Sequence, residues 1–406
     1  MIGPVSSNSS TASSADSYEP GKFRERKRCL DLRSKILLTE EGSRFYLDRK
    51  LGLHEFNVED GKTHFGFKVK SLDIPWLRRL LLANFVERAE FPVRDLGSVK
   101  NEIGDIARLV VFSLLYGDFR SSVYVRTLDS EIIRRWNRLH PHNAVDAKKS
   151  LFPGELRNTL SSKGDAIKAI KKEIFLPIYR TISVDARKTP EDHRRLYHFV
   201  NELLNYLDPL TYFILLGSPV EERQILEKFI SEKIYSAIER VDLADYLALM
   251  VLELMGAAER STLIELLGND VRPSEIRLRL ENPETRRTLL SSLPTGLSSA
   301  MVWNLSRRWS PLGHWRYRLR LSLYDGSSDF EDTKRLFEER GRLSVEDRNL
   351  QEFYEQGTGP YGDDGLGWYY LSFIGEACRE MGVSFVATIR EQPGKGTAAV
   401  HLTLQL

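Results

Sequence analysis

The sequence has very little cysteine, and this shortage excludes two classes of protein. Its 406 residues include only Cys29 and Cys378, which lie far apart and in different settings. A disulfide framework needs several cysteines at regular spacings, and a thiolate metal site needs them in close pairs. Neither pattern is present. We therefore expect a protein of a reducing compartment, most simply the cytoplasm.

Long apolar runs and an excess of one charge are also missing. The longest apolar stretches, residues 106–115 and 247–258, contain Arg108 and Glu253 and are shorter than the roughly 18 residues that a membrane span needs. They are predicted to be buried core helices, with no membrane span. The formal net charge is +2, which gives no reason to expect nucleic acid as a partner. Partners have to be inferred from individual sites.

The first 240 residues divide into three segments by composition and periodicity. Residues 1–30 are rich in serine and poor in large apolar side chains, so we expect a disordered tail. Residues 31–100 form a mixed α/β region of no evident role, with a strand over 63–70 and a helix from Trp76 to Val86. Residues 101–240 carry helical apolar periodicity interrupted by prolines. This pattern predicts a helical domain that packs or contacts a partner.

From residue 241 to residue 406, predicted helices and strands follow one another in pairs. A helix begins at Asp242 and carries Glu253 in the middle of an otherwise apolar face. Two strands follow it, then a glycine-rich block, a second helix and two more strands. The predicted strands cover residues 299–308, 315–324, 383–389 and 400–406. Helices that cover one face of such a sheet form an α+β sandwich.

The glycine-rich block contains Gly365 and Gly367 and opens directly into the second helix. Glycine allows unusual backbone dihedrals and lets the backbone approach a ligand closely. The free N–H groups at the start of a helix attract an anion. Gly396 and Thr397 precede the last strand and extend the same pattern. The block predicts a phosphate site, with ordinary turns as the alternative interpretation.

The order of these parts resembles the GHKL superfamily of ATPases and kinases, which includes gyrase, the large heat-shock chaperone and the sensor histidine kinases. The resemblance implies a C-terminal α/β sandwich of Bergerat (GHKL) type that binds ATP. It implies that Glu253 is a catalytic base orienting water, that Asp325 accepts a hydrogen bond from the adenine amine, and that the glycines hold phosphate. The matching residues are, in chain order, Glu253, Asp325, Phe353-Tyr354, Gly365-Leu366-Gly367 and Gly394-Lys395-Gly396-Thr397.

The sequence also departs from that family pattern. Ala257 stands where the family has the asparagine that holds magnesium, so the amide oxygen is absent and we do not expect bound Mg²⁺. Ser327 and Asp329 replace two glycines after Asp325, and a second carboxylate near phosphate would repel it. Residues 268–297 are an insertion that we expect to rebuild or cover the lid side.

Each candidate residue also has a purely structural interpretation. Glu253 fits a structural role as well as it fits the role of catalytic base. In the structural role it is paired or lies at the edge of an apolar helix face. Asp325 fits a turn residue that caps its own backbone as well as it fits the adenine acceptor. Gly396 and Thr397 also fit an ordinary hairpin turn.

A kinase would need a phosphoacceptor histidine, and the sequence offers weak candidates. Gly154 stands where the family motif before Glu155 has histidine. His193 and His198 are alternatives, although histidines on charged helices are more typical of a protein surface. The pair His140 and His142 has no further ligands nearby for zinc.

The sequence therefore favours a regulatory or signalling protein that acts through a protein partner. Its histidine kinase-like ATPase domain is expected to be degenerate and to bind ATP weakly or not at all. The alternative is an active ATP-binding protein kinase or conformational ATPase whose magnesium is held by other groups. A helical interaction module with a purely structural C-terminal region is the third hypothesis. Phosphoryl transfer depends on positioning and electrostatics, so the missing metal ligand favours the first.

Overall fold

In the computed structural model, one antiparallel sheet contains strands from both the N-terminal and the C-terminal regions of the chain. Eight strands form this sheet among the described residues, in the order β2-β3-β1-β4-β5-β6-β8-β7. The structure describes residues 34–57, 63–70, 73–92, 102–146, 160–186, 188–267, 273–292, 299–309, 315–340, 366–392 and 397–406. The expected tail, with Cys29, lies outside these ranges, and Asp31–Leu406 form one compact unit.

Half of the strands come from the region for which the sequence assigned no role. Asp73 caps α2 by accepting a hydrogen bond from the backbone N–H of Trp76 at 3.1 Å. The predicted helix over Trp76–Val86 is too long, because Asn84 has a φ of 56° and ends the helix before Val86 begins a strand. The elements are β1 (Lys35–Leu38), α1 (Glu40–Asp48), β2 (His54–Asn57), β3 (Thr63–Lys68), α2 (Ile74–Leu82) and β4 (Val86–Pro92).

The described elements from Gly104 to Glu239 are helices, as the periodicity predicts. Thr189 and Asp192 form a capping box at the start of one of them. A short 3₁₀ helix, Pro141–Asn143, follows the second. The α-helices are α3 (Gly104–Leu128), α4 (Glu131–Leu139), α5 (Gly164–Ser183), α6 (Pro190–Asn205), α7 (Pro209–Gly217) and α8 (Val220–Glu239).

In the last third of the chain, the helices and hairpins follow one another in the predicted order. The apolar positions of its first helix are buried, from Leu243 to Ala258. In its last helix Leu371, Ile374 and Cys378 are buried on one face. The elements are α9 (Asp242–Leu267), α10 (Pro273–Glu281), α11 (Pro283–Ser292), β5 (Ala300–Trp309), β6 (Trp315–Asp329), α12 (Phe330–Arg340), α13 (Leu366–Glu380), β7 (Ser384–Glu391) and β8 (Thr397–Gln405).

The pairing of β4 with β5 connects the N-terminal strands to the C-terminal ones. Ala89 lies opposite Trp303, whose side chain is fully buried. Composition suggests separate segments with limits near residues 100 and 240. One sheet nevertheless contains strands from before the first limit and after the second. Local periodicity does not reveal this pairing, since it joins strands separated by the whole helical region.

Helices α3, α9 and α13 cover the face of the sheet that carries Leu319, Leu321 and Leu323. Close packing of α3 on β6 requires Gly117, because a Cβ at this position would lie 2.4 Å from Cε1 of Tyr317. These layers make the protein α+β. Within the described ranges, no helix combines enough length with enough apolarity to cross a membrane.

The helical pair α10 and α11 follows α9, in the segment that the resemblance predicts to be an insertion. Arg286 of α11 and Glu259 of α9 form a buried ion pair of 2.5 Å. Leu263, Ile276 and Leu290 make a small apolar cluster beside it. Helices α10 and α11 therefore pack on the C-terminal half of α9.

Candidate functional site

Helices α9 and α13 run antiparallel, and this brings together two of the predicted site segments. Tyr246, early in α9, packs edge-to-face on Phe373 in the middle of α13, with ring centroids 4.9 Å apart. Burial raises the pKa of Tyr246, and the carboxylates of Asp242, Asp245 and Glu380 raise it further. Since Glu380 ends α13, the later residues of α9 lie beside its start. Glu253 and Gly367 therefore lie at the same end of the helix pair.

The strands place Asp325 and Thr397 at this end as well. The chain reverses at Gly382, whose φ is 65°, so α13 lies back along β7 and its start reaches the far end of that strand. At that end Tyr324 pairs with Ala399, and Asp329 pairs with Thr397. The start of α13, Asp325 and Thr397 thus share one edge of the sandwich.

Asp325 differs from the sequence prediction in its backbone context. The turn-like residues after it predict that the strand ends there, but β6 continues to Asp329. The pairing with β8 is irregular between Tyr324, which pairs with Ala399, and Asp329, which pairs with Thr397, so the polar residues between them bulge out of the ladder. The carbonyl oxygen of Asp325 accepts a hydrogen bond from Nε2 of Gln392 at 2.8 Å. Asp325 therefore lies within β6 and not after its end, and its roles as a turn residue or as an adenine acceptor both stay predictions.

Gln392 is a structural residue of this site that the sequence analysis missed. Its side chain is buried, and Nε2 also donates to the carbonyl oxygen of Ala398 at 3.0 Å. Its backbone N–H donates to the carbonyl oxygen of Thr397 at 2.8 Å. A glutamine between a strand and a glycine-rich turn carries no distinctive sequence signal, so only the structure shows that it fixes Asp325 relative to β8.

Thr397 has an unused hydrogen-bonding group. Its Oγ1 is buried and makes no hydrogen bond to any group that the structure describes. Buried hydroxyls are normally paired, because an unpaired one costs about 1–3 kcal/mol. Among the described groups of this edge, the hydroxyl is therefore a donor without an acceptor.

The remaining predicted residues are only partly described. Glu253 and Ala257 are half-buried on α9, one helical turn apart. Helix α13 begins at Leu366, so Gly367 is its second residue. Gly365, Gly396, Lys395 and the pair Phe353-Tyr354 lie outside the described residues, as does Gly154. Of the two segments that would enclose phosphate, the structure therefore describes only the parts that begin at Leu366 and at Thr397.

The other face of the sheet carries exposed arginines. Arg316, Arg318 and Arg320 alternate along β6, and Arg390 lies on the same face of β7. All four are exposed, and none forms an ion pair with a residue in the described ranges. The predicted strand over residues 315–324 contains three of these arginines, to which the sequence assigns no binding role.

A buried histidine lies next to this basic face. Nδ1 of His401 lies 2.8 Å from Oγ of Ser322. Burial lowers the pKa of His401 to about 4, and the charges of Arg320 and Arg390 lower it further. His401 is therefore neutral at physiological pH.

His193, His140 and the described cysteine have structural contacts. Nε2 of His193 lies 3.2 Å from the carbonyl oxygen of Asp185, and His140 packs on Trp136 with ring centroids 4.2 Å apart. Burial raises the pKa of the Cys378 thiol to about 12, which makes it unreactive. Within the described ranges, no three His, Cys, Asp or Glu side chains are grouped so that they could hold a metal ion.

Comparison with known proteins places nearly the whole chain in one family. The model of a family of unknown function, DUF8084, matches residues 25–406, so the chain belongs to this family. A Treponema pallidum (strain Nichols) protein described as uncharacterized is 24% identical over 390 residues, which are 94% of this chain and 99% of that protein. No solved structure matches the chain. The similarity thus extends over the sheet and the helices together.

Proposed function

We propose that this DUF8084 member is a regulatory or signalling protein with a degenerate histidine kinase-like ATPase domain of GHKL type. The domain binds nucleotide weakly and without magnesium, and the protein acts through protein contacts. One observation carries the proposal: Glu253, Gly367, Asp325 and Thr397 converge on one edge of a helix layer over an antiparallel sheet. They belong to four separate elements, so their convergence is not a consequence of sequence proximity.

The groups at this edge suit the polar parts of a nucleotide. In this proposal Asp325 accepts a hydrogen bond from the adenine amine. The first N–H groups of α13 face phosphate, as the start of a helix generally can. The free Oγ1 of Thr397 donates to a phosphate oxygen. Gln392 keeps the adenine side and the phosphate side at a fixed separation.

Position 257, where the resemblance expects an amide that holds a metal ion, has none. Ala257 lies one turn after Glu253 and offers only a methyl group. Loss of one charge-assisted contact costs about 1.5–3 kcal/mol, or roughly ten- to a hundredfold in affinity. Phosphoryl transfer loses more than binding does, because the metal neutralises charge on the transferring group. Binding without turnover is therefore the expected state.

The basic sheet face supports a role in protein contacts. Four exposed arginines on one face, without ion-pair partners in the described ranges, attract a surface of opposite charge. An acidic protein surface fits this arrangement. The face lies on the opposite side of the sheet from α9 and α13, so a partner there leaves the nucleotide edge open.

An ATP titration of the full chain by calorimetry, with and without Mg²⁺, tests the proposal. We expect a Kd weaker than about 100 μM that Mg²⁺ does not improve, and no release of phosphate. Micromolar binding that needs Mg²⁺, together with hydrolysis that Glu253→Ala abolishes, would support the active ATPase instead. A complete absence of binding at millimolar ATP would reject nucleotide binding at this edge.

A further inference from the structure

Strand β7 forms one edge of the sheet and lacks the usual protection of an edge strand. It pairs with β8 over all eight of its residues without a shift in register, so it is regular along its whole length. Native edge strands are usually short, bulged, or interrupted by proline or lysine, because their free backbone groups pair readily with another strand. Strand β7 contains neither proline nor lysine, and Val386 in its middle is 51% exposed. The other edge strand, β2, has only four residues.

The outer backbone groups of β7 have no backbone partner in the part of the chain that the structure describes. In an antiparallel strand, the N–H and C=O groups of every second residue point away from the existing ladder. The backbone hydrogen bonds of the neighbouring turns stop on either side of the strand, at Val383 and Gln392. The outer groups of Ser384–Glu391 can therefore pair with one further strand, which is how peptides add to an exposed sheet edge.

The charge beside this edge is positive on the basic sheet face. Arg308 of β5 lies opposite Arg316 and adds a fifth exposed arginine to the four on β6 and β7. The residues that share this face in the regular ladders of β5, β6, β8 and β7 include no carboxylate. Asp329 follows beyond the irregular part of the β6–β8 ladder, and one carboxylate does not offset five arginines. A strand added to β7 therefore meets an excess of positive charge on this face.

The helix-covered face of β7 has a different character. Phe385, Ala387 and Ile389 alternate there, and Glu391 ends the strand on the same side. Side chains of an added strand also alternate between the two faces, and unlike charges directly opposite each other on neighbouring strands attract. Arg390 is the arginine on β7 itself. Acidic side chains are therefore favourable at every second position of the added strand, on the side of Arg390.

A second copy of the chain fits this edge less well. Antiparallel pairing of two β7 strands would put the basic sheet faces of the two copies side by side, and their like charges would repel. An acidic strand meets no such repulsion.

We infer that β7 binds an extended segment of a partner protein by strand addition, and that this segment carries acidic side chains at alternate positions on the side of Arg390. The inference rests on the part of the proposed function that concerns protein contacts, and it specifies the chemistry and the binding mode of the partner. It does not depend on nucleotide binding.

A capped heptapeptide of alternating glutamate and valine is a suitable probe for the full chain. Fluorescence anisotropy should show binding at least roughly tenfold tighter than that of a lysine–valine peptide of the same length. A glutamate–valine peptide with N-methyl groups on two successive central residues keeps its charge and has both hydrogen-bonding edges blocked. It should bind at least roughly tenfold more weakly than the unmodified peptide.

The outcomes separate the inference from the proposed function. If the methylated peptide binds as tightly as the unmodified one, the contact is charge attraction alone. Strand addition is then rejected, while an acidic partner for the basic sheet face is retained. If neither acidic peptide binds at about 1 mM, both are rejected.

Hydrogen exchange and one substitution locate the peptide. It should slow exchange at the outer amides of Ser384–Glu391 and leave β2 unchanged, whereas protection elsewhere would overturn the inference. Arg390→Glu should weaken binding of the acidic peptide roughly three- to tenfold and strengthen that of the lysine peptide. Arg194→Glu is the control, because Arg194 is exposed on α6 and pairs with Glu191 one turn away. If the free chain sediments as a dimer with β7 amides already protected, the edge belongs to a second copy and the inference fails.

Discussion

Arg286 and Glu259 form an ion pair of 2.5 Å whose side chains are only 2% and 4% exposed. The pair fastens α11 to α9, and removal of one partner leaves the other charged and buried. Arg286→Leu should therefore destabilise the protein by about 3–5 kcal/mol. Urea denaturation measures this loss, with Arg287→Leu as the control, since Arg287 is exposed on the same helix.

The double variant Glu259→Leu/Arg286→Leu distinguishes the effect of the buried charge from the effect of side-chain packing. It removes both charges, so most of the stability should return. If the double variant is as unstable as Arg286→Leu, the loss comes from packing of the long side chain and the buried-charge explanation fails.

Gly117→Ala should destabilise the protein by about 1–3 kcal/mol. The added methyl group would lie 2.4 Å from the buried ring of Tyr317, so α3 or the ring has to move. Alanine normally favours a helix over glycine, which makes this loss specific to close packing. Thermal unfolding checks it. Gly164→Ala, on a helix position with no atom within 4 Å of the new methyl group, should be neutral or slightly stabilising.

Much of the local structure follows from the sequence. The spacing of apolar residues predicts the buried face of α9, and the alternation of leucine and arginine predicts β6. These signals are local, since each depends on the period of one element. The end of β6 shows the limit: a turn-like composition after Asp325 predicts a stop, but pairing with β8 extends the strand to Asp329.

Long-range relationships could not be predicted in the same way. The pairing of Ala89 with Trp303 joins strands on either side of the helical region. The place of β7 at the edge of the sheet likewise depends on pairing that no sequence spacing reveals. The unpaired hydroxyl of Thr397 becomes evident only when the groups around it have been located.

The buried His401 should make stability depend on pH. In the unfolded chain the imidazole binds a proton near its ordinary pKa of about 6.5, whereas in the folded protein it does so only near pH 4. Between these values the unfolded state holds more protons, so stability is complete above pH 6.5 and falls as the pH drops towards 4. The expected loss is about 2–3 kcal/mol.

Chemical denaturation at several pH values measures this dependence. His401→Asn keeps a hydrogen-bonding group for Ser322 but does not titrate, so the variant should lose less stability than the wild type over this pH range. If His401→Asn loses as much stability as the wild type over this pH range, other groups cause the pH dependence.

Thr397→Val should stabilise the free protein and weaken nucleotide binding. Valine has nearly the shape of threonine and removes a buried hydroxyl without a hydrogen bond, which is worth about 1 kcal/mol of stability. If the same hydroxyl donates to phosphate, ATP affinity should fall roughly tenfold. Thermal unfolding and calorimetry measure the two effects on one sample. A variant that gains stability and keeps its ATP affinity would remove Thr397 from the proposed site.

Ala257→Asn should make nucleotide binding depend on magnesium. Position 257 lies one turn after Glu253 on α9, and the new amide oxygen supplies the ligand that the family resemblance expects there. We expect ATP affinity to rise roughly ten- to a hundredfold with Mg²⁺ and to stay unchanged without it. Gly256→Asn is the control, because it carries the same amide about 100° away around the helix. Should both variants gain magnesium-dependent binding equally, the metal lies outside the proposed edge, and the missing side chain at Ala257 is not what disables the site.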